Sequence, residues 1–151
     1  MLQGALVVPT DLSDEKEAKA MIDKTFEHFG RIDVLINNAA TIRMSRADSL
    51  DPELLRKAFN INVIGAVVAT NRAVEYMRKG GGHIINIGSP GFLIGLPFLG
   101  PYAITKAAFM GWTRTMQSEW ADTNIFVTDA VLAEFGFTKA QIAALRKAKA
   151  V

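Results

Sequence analysis

The sequence predicts an α/β fold in which a parallel sheet of about four strands carries helices on both faces. Short apolar runs that suit strands alternate along the chain with longer segments whose apolar residues recur every three or four positions. The short runs are apolar at consecutive positions, which is typical of strands buried on both sides in a parallel sheet. The resulting order, β-α-β-α-β-α-β-α, favours a layered α/β architecture.

Composition sets the broad class. The 151 residues suit one domain spanning 1–151, and 50% hydrophobic with 21% charged residues is ordinary for a globular protein. The net charge is +2 and the basic residues are scattered, so no nucleic-acid partner is expected. The chain has no cysteine, and its two histidines, His28 and His83, lie far apart, so no disulfide and no metal site are predicted.

The N-terminal segment and the apolar runs give no sign of a membrane or of export. The first residues lack the basic and long apolar parts of a secretory signal. No apolar stretch approaches the roughly 20 residues of a membrane span. A soluble cytoplasmic protein is therefore expected.

The first half of the chain predicts a strand, a helix and a second strand. Residues 5–8 (ALVV) form the first apolar run. Ser13 or Asp11 can cap the helix that follows, and Gly30 suits its end. Residues 32–37 (IDVLIN) form the second run and end in asparagine.

The second half predicts two more strands and three helices. Pro52 suits the first position of a long helix that ends before three consecutive glycines. Residues 83–88 (HIINIG) are the third strand, and a Gly/Pro-rich loop leads to a helix over 102–120. Residues 125–132 (IFVTDAVL) are the fourth strand, and 138–150 form a final basic helix.

Polar side chains follow three of the predicted strands. They are Asp11, the pair Asn37-Asn38, and Ser89. In open parallel sheets the ligand crevice lies at the carboxyl ends of the strands, so we expect the functional site at these residues.

Tyr102 and Lys106 stand out in an otherwise apolar helix. Residues four apart share one face of a helix, so the phenol and the ammonium can point into one crevice. A nearby cation favours the phenolate form, which suits a general acid or base. Alternatively, Tyr102 packs on Pro97 and Pro101 and Lys106 extends its charge to solvent.

Four motifs give this chain a family resemblance. Tyr-x-x-x-Lys alone is a weak signal, but a serine thirteen residues before the tyrosine and NNAA after a strand make it specific. The motifs are IDVLINNAA (32–40), NINVIG (60–65), HIINIGS (83–89) and YAITK (102–106). With them the sequence resembles the short-chain dehydrogenase/reductase family from about Leu6 to Val127.

The resemblance implies a partial Rossmann-like fold and an NAD(P)-dependent oxidoreductase that moves hydride between a nicotinamide and a carbonyl or alcohol. It implies Tyr102 as general acid/base and Lys106 as its partner, which also binds the nicotinamide ribose. Ser89 would hold the substrate oxygen. Asn62 would hold a water that links the lysine to solvent; alternatively, Asn62 only bends the long helix.

The resemblance also implies a set of cofactor contacts along the carboxyl ends of the strands. Alanine at position 40 replaces the usual glycine, and Asp11 serves equally well as a helix cap. Alternatively, Asn37 and Asn38 only cap the turn from strand to loop. The implied cofactor-binding residues are Asp11, Leu12, Asn38, Ala39, Ala40, Ile61, Ile87, Tyr102 and Lys106.

Compared with the family, the chain is expected to be truncated at both ends. Nothing before Leu6 supplies the Gly-rich turn that holds pyrophosphate at a helix N-terminus. The residue that separates NAD from NADP would lie in the same missing part, so the choice of cofactor stays open. Leu132-Ala133 stands in place of the family's Pro-Gly pair. Residues 5–8 must then pair directly with 32–37 or fray.

Other functions and assemblies stay open. A truncated, catalytically inactive chain could act through helix-mediated association, and the resemblance implies a homodimer or homotetramer through helices 52–79 and 102–120. Nucleic-acid binding by the basic tail 139–149 is the least favoured, because such a tail is usually a solvated helix face. The apolar segment 90–101 favours a hydrophobic small-molecule substrate.

Overall fold

The computed structural model describes residues 4–130, with only the backbone of Ile94. The predicted helix 138–150 and the pair Leu132-Ala133 lie outside this range. The elements, in chain order, are α1 (Glu15–Phe29), β1 (Val34–Asn37), a 3₁₀ turn (Ala47–Ser49), α2 (Pro52–Phe59), a π-helical turn (Asn60–Ile64), α3 (Gly65–Met77), β2 (Gly82–Asn86), α4 (Gly91–Ile94), α5 (Gly100–Glu119) and β3 (Ile125–Asp129).

The three strands form one parallel sheet in the order β1-β2-β3. Val34 lies beside His83, which lies beside Phe126, and the register continues to the strand ends. The α/β class and the parallel sheet of the Rossmann-like type are therefore confirmed. The sheet has three strands in the described residues, one fewer than predicted.

Residues 5–8 do not form the predicted first strand. They carry no strand hydrogen bonds, and the side chains of Leu6 and Val7 are 39% and 82% exposed. Within residues 4–130, strand β1 pairs with β2 alone. A short apolar run forms a stable strand only when it can pair with the edge of a sheet, because isolated strand pairs are marginally stable.

Among residues 4–130, the helices that build the core lie on one face of the sheet. The predicted helix 138–150 lies outside this range, so helices on both faces stay a prediction. Each strand lies next to its predecessor and the order runs in one direction, so right-handed connections place α3 and α5 on the same side. On that side the core is built from α1, α3, α5 and alternate strand residues: Ile22, Ala69, Ala73, Met77, Ile84, Met116, Ile125 and Val127. The opposite face leaves Val34, Ile36 and Phe126 more than half exposed within the described residues.

Helix α1 begins and ends at residues that satisfy its backbone. The Asp14 carboxylate, not Ser13 or Asp11 as expected, accepts hydrogen bonds from the N–H groups of Lys16 (2.7 Å) and Glu17 (3.3 Å). Gly30 ends the helix in the left-handed conformation at φ 72°, as predicted.

A charged clamp joins α1 to α3. We use this name for Asp23, Arg72, Glu75 and Tyr76. The Arg72 guanidinium donates to Asp23, to Glu75 and to the Tyr76 hydroxyl (2.7 Å), and Tyr76 donates to Asp23 (2.9 Å). The Tyr76 ring also stacks on Phe26, with ring centres 4.0 Å apart.

The clamp shifts the protonation equilibria of its members. Burial opposes ionisation of Asp23, but hydrogen bonds from Arg72 and Tyr76 and the charge of Arg72 outweigh it, so the pKa lies below the ordinary 3.8. The hydrogen bond to Asp23 raises the pKa of Arg72. Burial, and then the Asp23 carboxylate, raises the pKa of Tyr76.

The predicted long helix 52–79 contains a π-helical turn in its middle. Pro52 lies at its first turn, as predicted, and Asp51 caps it. At the turn, the Gly65 N–H donates to the carbonyl of Asn60, five residues back. Gly65 also touches the loop before α1, because a Cβ there would lie 2.2 Å from the Leu12 carbonyl oxygen. Only glycine fits this approach.

Candidate active site

Helix α5 brings Tyr102 and Lys106 together, as their spacing predicts. The Lys106 ammonium lies 5.8 Å from the centre of the Tyr102 ring, and the lysine is 3% exposed. Its Nζ donates a 2.6 Å hydrogen bond to the Ile87 carbonyl, just beyond the end of β2. Lys106 is therefore not an extended surface charge, and it ties α5 to the segment that leads to Ser89.

Ser89 lies beside the same end of α5, with Gly91 between it and Tyr102. The Gly91 N–H donates a 3.1 Å hydrogen bond to Ser89 Oγ. A Cβ built on Gly91 would lie 3.2 Å from Ser89 Oγ and 4.0 Å from Tyr102 Cε1. The serine and the tyrosine therefore flank one small gap.

Asn62 lies in the π-helical turn, 2% exposed, and connects three parts of the site. Its Oδ1 accepts from the Thr41 N–H (2.7 Å) and its Nδ2 donates to the Thr41 carbonyl (3.0 Å), as a neighbouring strand would. Nδ2 also donates to Thr105 Oγ1 (3.0 Å) on α5. Both amide hydrogens are used, so Asn62 holds the loop after β1 against the helix that carries Tyr102.

An amide–hydroxyl network lies beneath these residues. We use this name for Asn37, Thr70, Asn86 and Thr113. Asn37 Nδ2 donates to Thr70 Oγ1 and to Asn86 Oδ1, both at 2.9 Å, and Asn86 Nδ2 donates to Thr113 Oγ1 at 2.9 Å. The network ties the ends of β1 and β2 to α3 and α5.

The remaining predicted cofactor residues are arranged more openly. Asn38, Ala39 and Ala40 are exposed in the loop after β1, while Ile61 and Ile87 are half-buried. Asp11 is exposed, and hydrogen bonds from the Ser13 hydroxyl (2.7 Å) and N–H (2.9 Å) hold its pKa below the usual range. The backbone of Leu12 lies against Gly65, at the end of the π-helical turn.

Five exposed apolar side chains, which we call the apolar rim, lie on the loop after β1 and on the segment from α4 through the loop before α5. The loops are joined by the hydrogen bond from the Ser45 N–H to the Phe98 carbonyl (2.8 Å), and Phe98 has a positive φ of 66°. Such a φ is rare for a bulky residue and marks a strained position. The exposed apolar residues of the rim are Ile42, Met44, Leu93, Leu96 and Phe98.

Sequence reasoning did not identify several residues that build the site. Thr105 lies inside the YAITK motif and Asn86 lies inside HIINIGS, but the sequence gives neither residue a role beyond its place in a helix or a strand. Thr41 acts through its backbone, which leaves no sequence signal. Nothing in the sequence distinguishes Gly91 from the other glycines of the predicted loop. Only the fold shows which neighbours they meet.

Two other kinds of functional feature, a membrane-spanning helix and a metal centre, are absent from the described residues. None of their helices is both long enough and apolar enough to cross a bilayer. In residues 4–130 no three His, Cys, Asp or Glu side chains gather where they could hold a metal ion.

Comparison with known proteins gives consistent matches. The family model for short chain dehydrogenases matches residues 2–149. The chain is 38% identical over 113 residues to a protein of Thermotoga maritima described as an uncharacterized oxidoreductase. The aligned part is 74% of this chain and 45% of that protein. It is 34% identical to the chloroplastic NADPH-dependent aldehyde reductase 1 of Arabidopsis thaliana, with 81% of the chain and 42% of that protein covered.

A solved structure matches the fold. The 3-ketoacyl-(acyl-carrier-protein) reductase from Brucella melitensis, crystallised with NADH, superposes with a TM-score of 0.79 at 26% identity, over 84% of this chain and 55% of that one. The chain thus spans about half the length of the relatives it matches.

Proposed function

The chain belongs to the short-chain dehydrogenase family, and on that premise we propose that it transfers hydride between NAD or NADP and a carbonyl or alcohol substrate. The observation that carries the proposal is the cluster at the carboxyl end of β2. There a buried lysine contacts the ring of Tyr102 and bonds to Ile87, two residues before Ser89. The same cluster occupies the place where ligands bind in open parallel sheets.

Each residue of the cluster has a separate role in the proposal. Ser89 donates its hydroxyl hydrogen to the substrate oxygen, and Tyr102 gives that oxygen a proton during reduction or removes it during oxidation. The Lys106 ammonium stabilises the phenolate that forms. Asn62 has both amide hydrogens engaged, so only the second acceptor position of its Oδ1 is available to a water in a proton relay.

The candidate cofactor residues suit the nicotinamide end of the cofactor better than its adenine end. Tyr102, Lys106 and Ile87 would hold the nicotinamide ribose, with Asn38, Ala39, Ala40 and Ile61 along the dinucleotide. When bound, the cofactor supplies or accepts the hydride. Asp11 and Leu12 would meet the adenine, but they lie in an exposed loop after residues that pair with no strand.

The apolar rim supports a hydrophobic substrate. No charged residue lies between Gly88 and Thr105, and the rim exposes leucine, isoleucine, methionine and phenylalanine side chains. Burial of a charged substrate group against these side chains would cost hydration. Hydrophobic carbonyl and alcohol compounds are therefore the proposed substrate class.

Association of copies belongs to the same proposal. Ile64 and Ile104, on the helices 52–79 and 102–120, are 38% and 41% exposed. An inactive chain that acts only by such association is the second candidate, favoured by the exposed position of Asp11. Weak or absent cofactor binding would select it.

The first experiment titrates the full chain with NADH and with NADPH, following cofactor fluorescence and melting temperature. Saturable binding with a raised melting temperature is expected. Turnover of decanal and cyclohexanone follows, and Tyr102→Phe should lower kcat roughly 10²–10⁴-fold because the proton donor is removed.

The matched control is Tyr76→Phe, which removes the only other tyrosine hydroxyl of the chain. It should lower the melting temperature through the charged clamp and leave kcat unchanged. Equal turnover by Tyr102→Phe and the unmodified chain would contradict the proposed function, as would no binding at millimolar cofactor.

A further inference from the structure

We propose that Gly91 is a positioning residue for the substrate, acting in two ways. Its N–H fixes the orientation of the Ser89 hydroxyl, and its missing side chain keeps the gap between Ser89 and Tyr102 open. The inference rests on the proposed function, because it concerns how the substrate oxygen reaches those two groups.

The first effect follows from the capacity of a hydroxyl group. A serine oxygen has one hydrogen to donate and two lone pairs that accept. The Gly91 N–H occupies one lone pair at 3.1 Å. The Ser89 hydrogen then points away from that N–H, so the serine is prepared to donate to a substrate oxygen and does not need to be reoriented when the substrate arrives.

The second effect follows from the space around Gly91. Its Cβ position lies 3.2 Å from Ser89 Oγ and 4.0 Å from Tyr102 Cε1, which is bonded to the carbon that carries the hydroxyl. Gly100 and Gly111 have no atom within 4 Å of the same position. A methyl group at residue 91 would therefore occupy the gap and press on the serine oxygen.

The need for glycine here is spatial and not conformational. The backbone of Gly91 is not among those with positive φ, and the residue begins helix α4. Alanine favours helices more than glycine does. The helix preference of alanine should offset part of the cost of the 3.2 Å contact with Ser89 Oγ, so Gly91→Ala should change the melting temperature little while it lowers activity. A residue with a merely structural role would change both in the same direction.

The kinetic test compares the unmodified chain with Gly91→Ala and with the control Gly111→Ala, which adds the same methyl to open space. We expect Gly91→Ala to lower kcat by about tenfold or more, because misplacement of reacting groups by a fraction of an ångström is costly. The KM for the cofactor should not change. Gly111→Ala should keep both constants.

A double-variant cycle separates action through Ser89 from an independent effect. In a Ser89→Ala background, Gly91→Ala should reduce kcat much less than it does in the unmodified chain. Fold-losses that multiply in the double variant would overturn the inference, as would a Gly91→Ala variant with unchanged kcat.

A spectroscopic test decides the geometry without turnover. In protein labelled with [¹⁵N]glycine, twelve amide resonances are expected, and the one lost in Gly91→Ala belongs to Gly91. Ser89→Ala should move that resonance upfield and speed its hydrogen exchange, while Tyr76→Phe should not. If the chain shows no turnover but the resonance responds, the proposed function fails and the inferred geometry stands. An unchanged resonance in Ser89→Ala overturns the inference.

Discussion

Two polar clusters join the helices to the rest of the molecule, and they differ in chemistry and in exposure. The amide–hydroxyl network beneath the candidate site is neutral, and Asn86, Thr70 and Thr113 are fully buried. The charged clamp between α1 and α3 is ionic, and the side chains of Arg72 and Asp23 are 24% and 28% exposed.

The difference follows from the cost of burial. Burying an ion pair costs several kcal/mol of hydration for each ion, by order of magnitude about as much as the pair regains. A neutral amide is cheaper to bury as long as each polar atom has a partner. No buried side-chain nitrogen or oxygen in the described residues lacks one. Of these two clusters, the ionic one thus lies where water still reaches it and the neutral one where water does not, while Lys106 beside Tyr102 is a buried cation outside both.

Removal of the central amide should have the largest effect on stability. Asn86→Ala breaks the bonds to Asn37 and Thr113 and leaves a cavity under the site. We expect the free energy of unfolding to fall by about 2–4 kcal/mol. Urea denaturation measures it, with Asn71→Ala on the exposed side of α3 as the matched control. A loss equal to that of the control would show that the network is not a stabilising feature.

Disruption of the charged clamp should cost less and should depend on salt. Arg72→Met removes the bonds to Asp23, Glu75 and Tyr76. Its loss of stability should be smaller than that of Asn86→Ala and should shrink when ionic strength rises from about 0.1 to 1 M. The control is Arg56→Met, which breaks an exposed 3.4 Å pair with Glu53 and should have almost no effect. If Arg72→Met is more costly than Asn86→Ala, the comparison of the two clusters is wrong.

The smallest effect should be a dependence of stability on pH, which we expect for the charged clamp and not for the amide–hydroxyl network. The pKa of Asp23 in the folded chain lies below its ordinary value of 3.8. Its contribution to stability is therefore complete above the unfolded pKa and is lost as pH falls through the lowered, folded pKa.

The measurement is the stability difference between the unmodified chain and Asp23→Asn from neutral pH down to acid. This difference should narrow below about pH 4. The matched control is Asn86→Ala, whose loss should stay constant over the same range because an amide does not titrate. A constant difference for Asp23→Asn would show that the clamp does not hold the carboxylate ionised.

The sequence by itself determined the features that depend on local spacing. The order of the main helices and strands from α1 to β3, the helix end at Gly30 and the helix start at Pro52 follow from periodicity and from the backbone preferences of glycine and proline. The short helix α4 is an exception, because it lies in the segment predicted as a loop. Tyr102 and Lys106 share a face because they are four residues apart in a helix. The motifs also indicated the family.

Only the tertiary structure decided which surfaces are covered and which groups meet. Residues 5–8 are as apolar as a strand but pair with no strand among residues 4–130, and the direction of the strand order puts α3 and α5 on one face. The Asn62 amide donates hydrogen bonds to Thr41 and Thr105, and Gly91 lies next to both Ser89 and Tyr102. These contacts join residues that are distant in sequence or act through backbone atoms. A pattern of side chains along one chain does not contain that information.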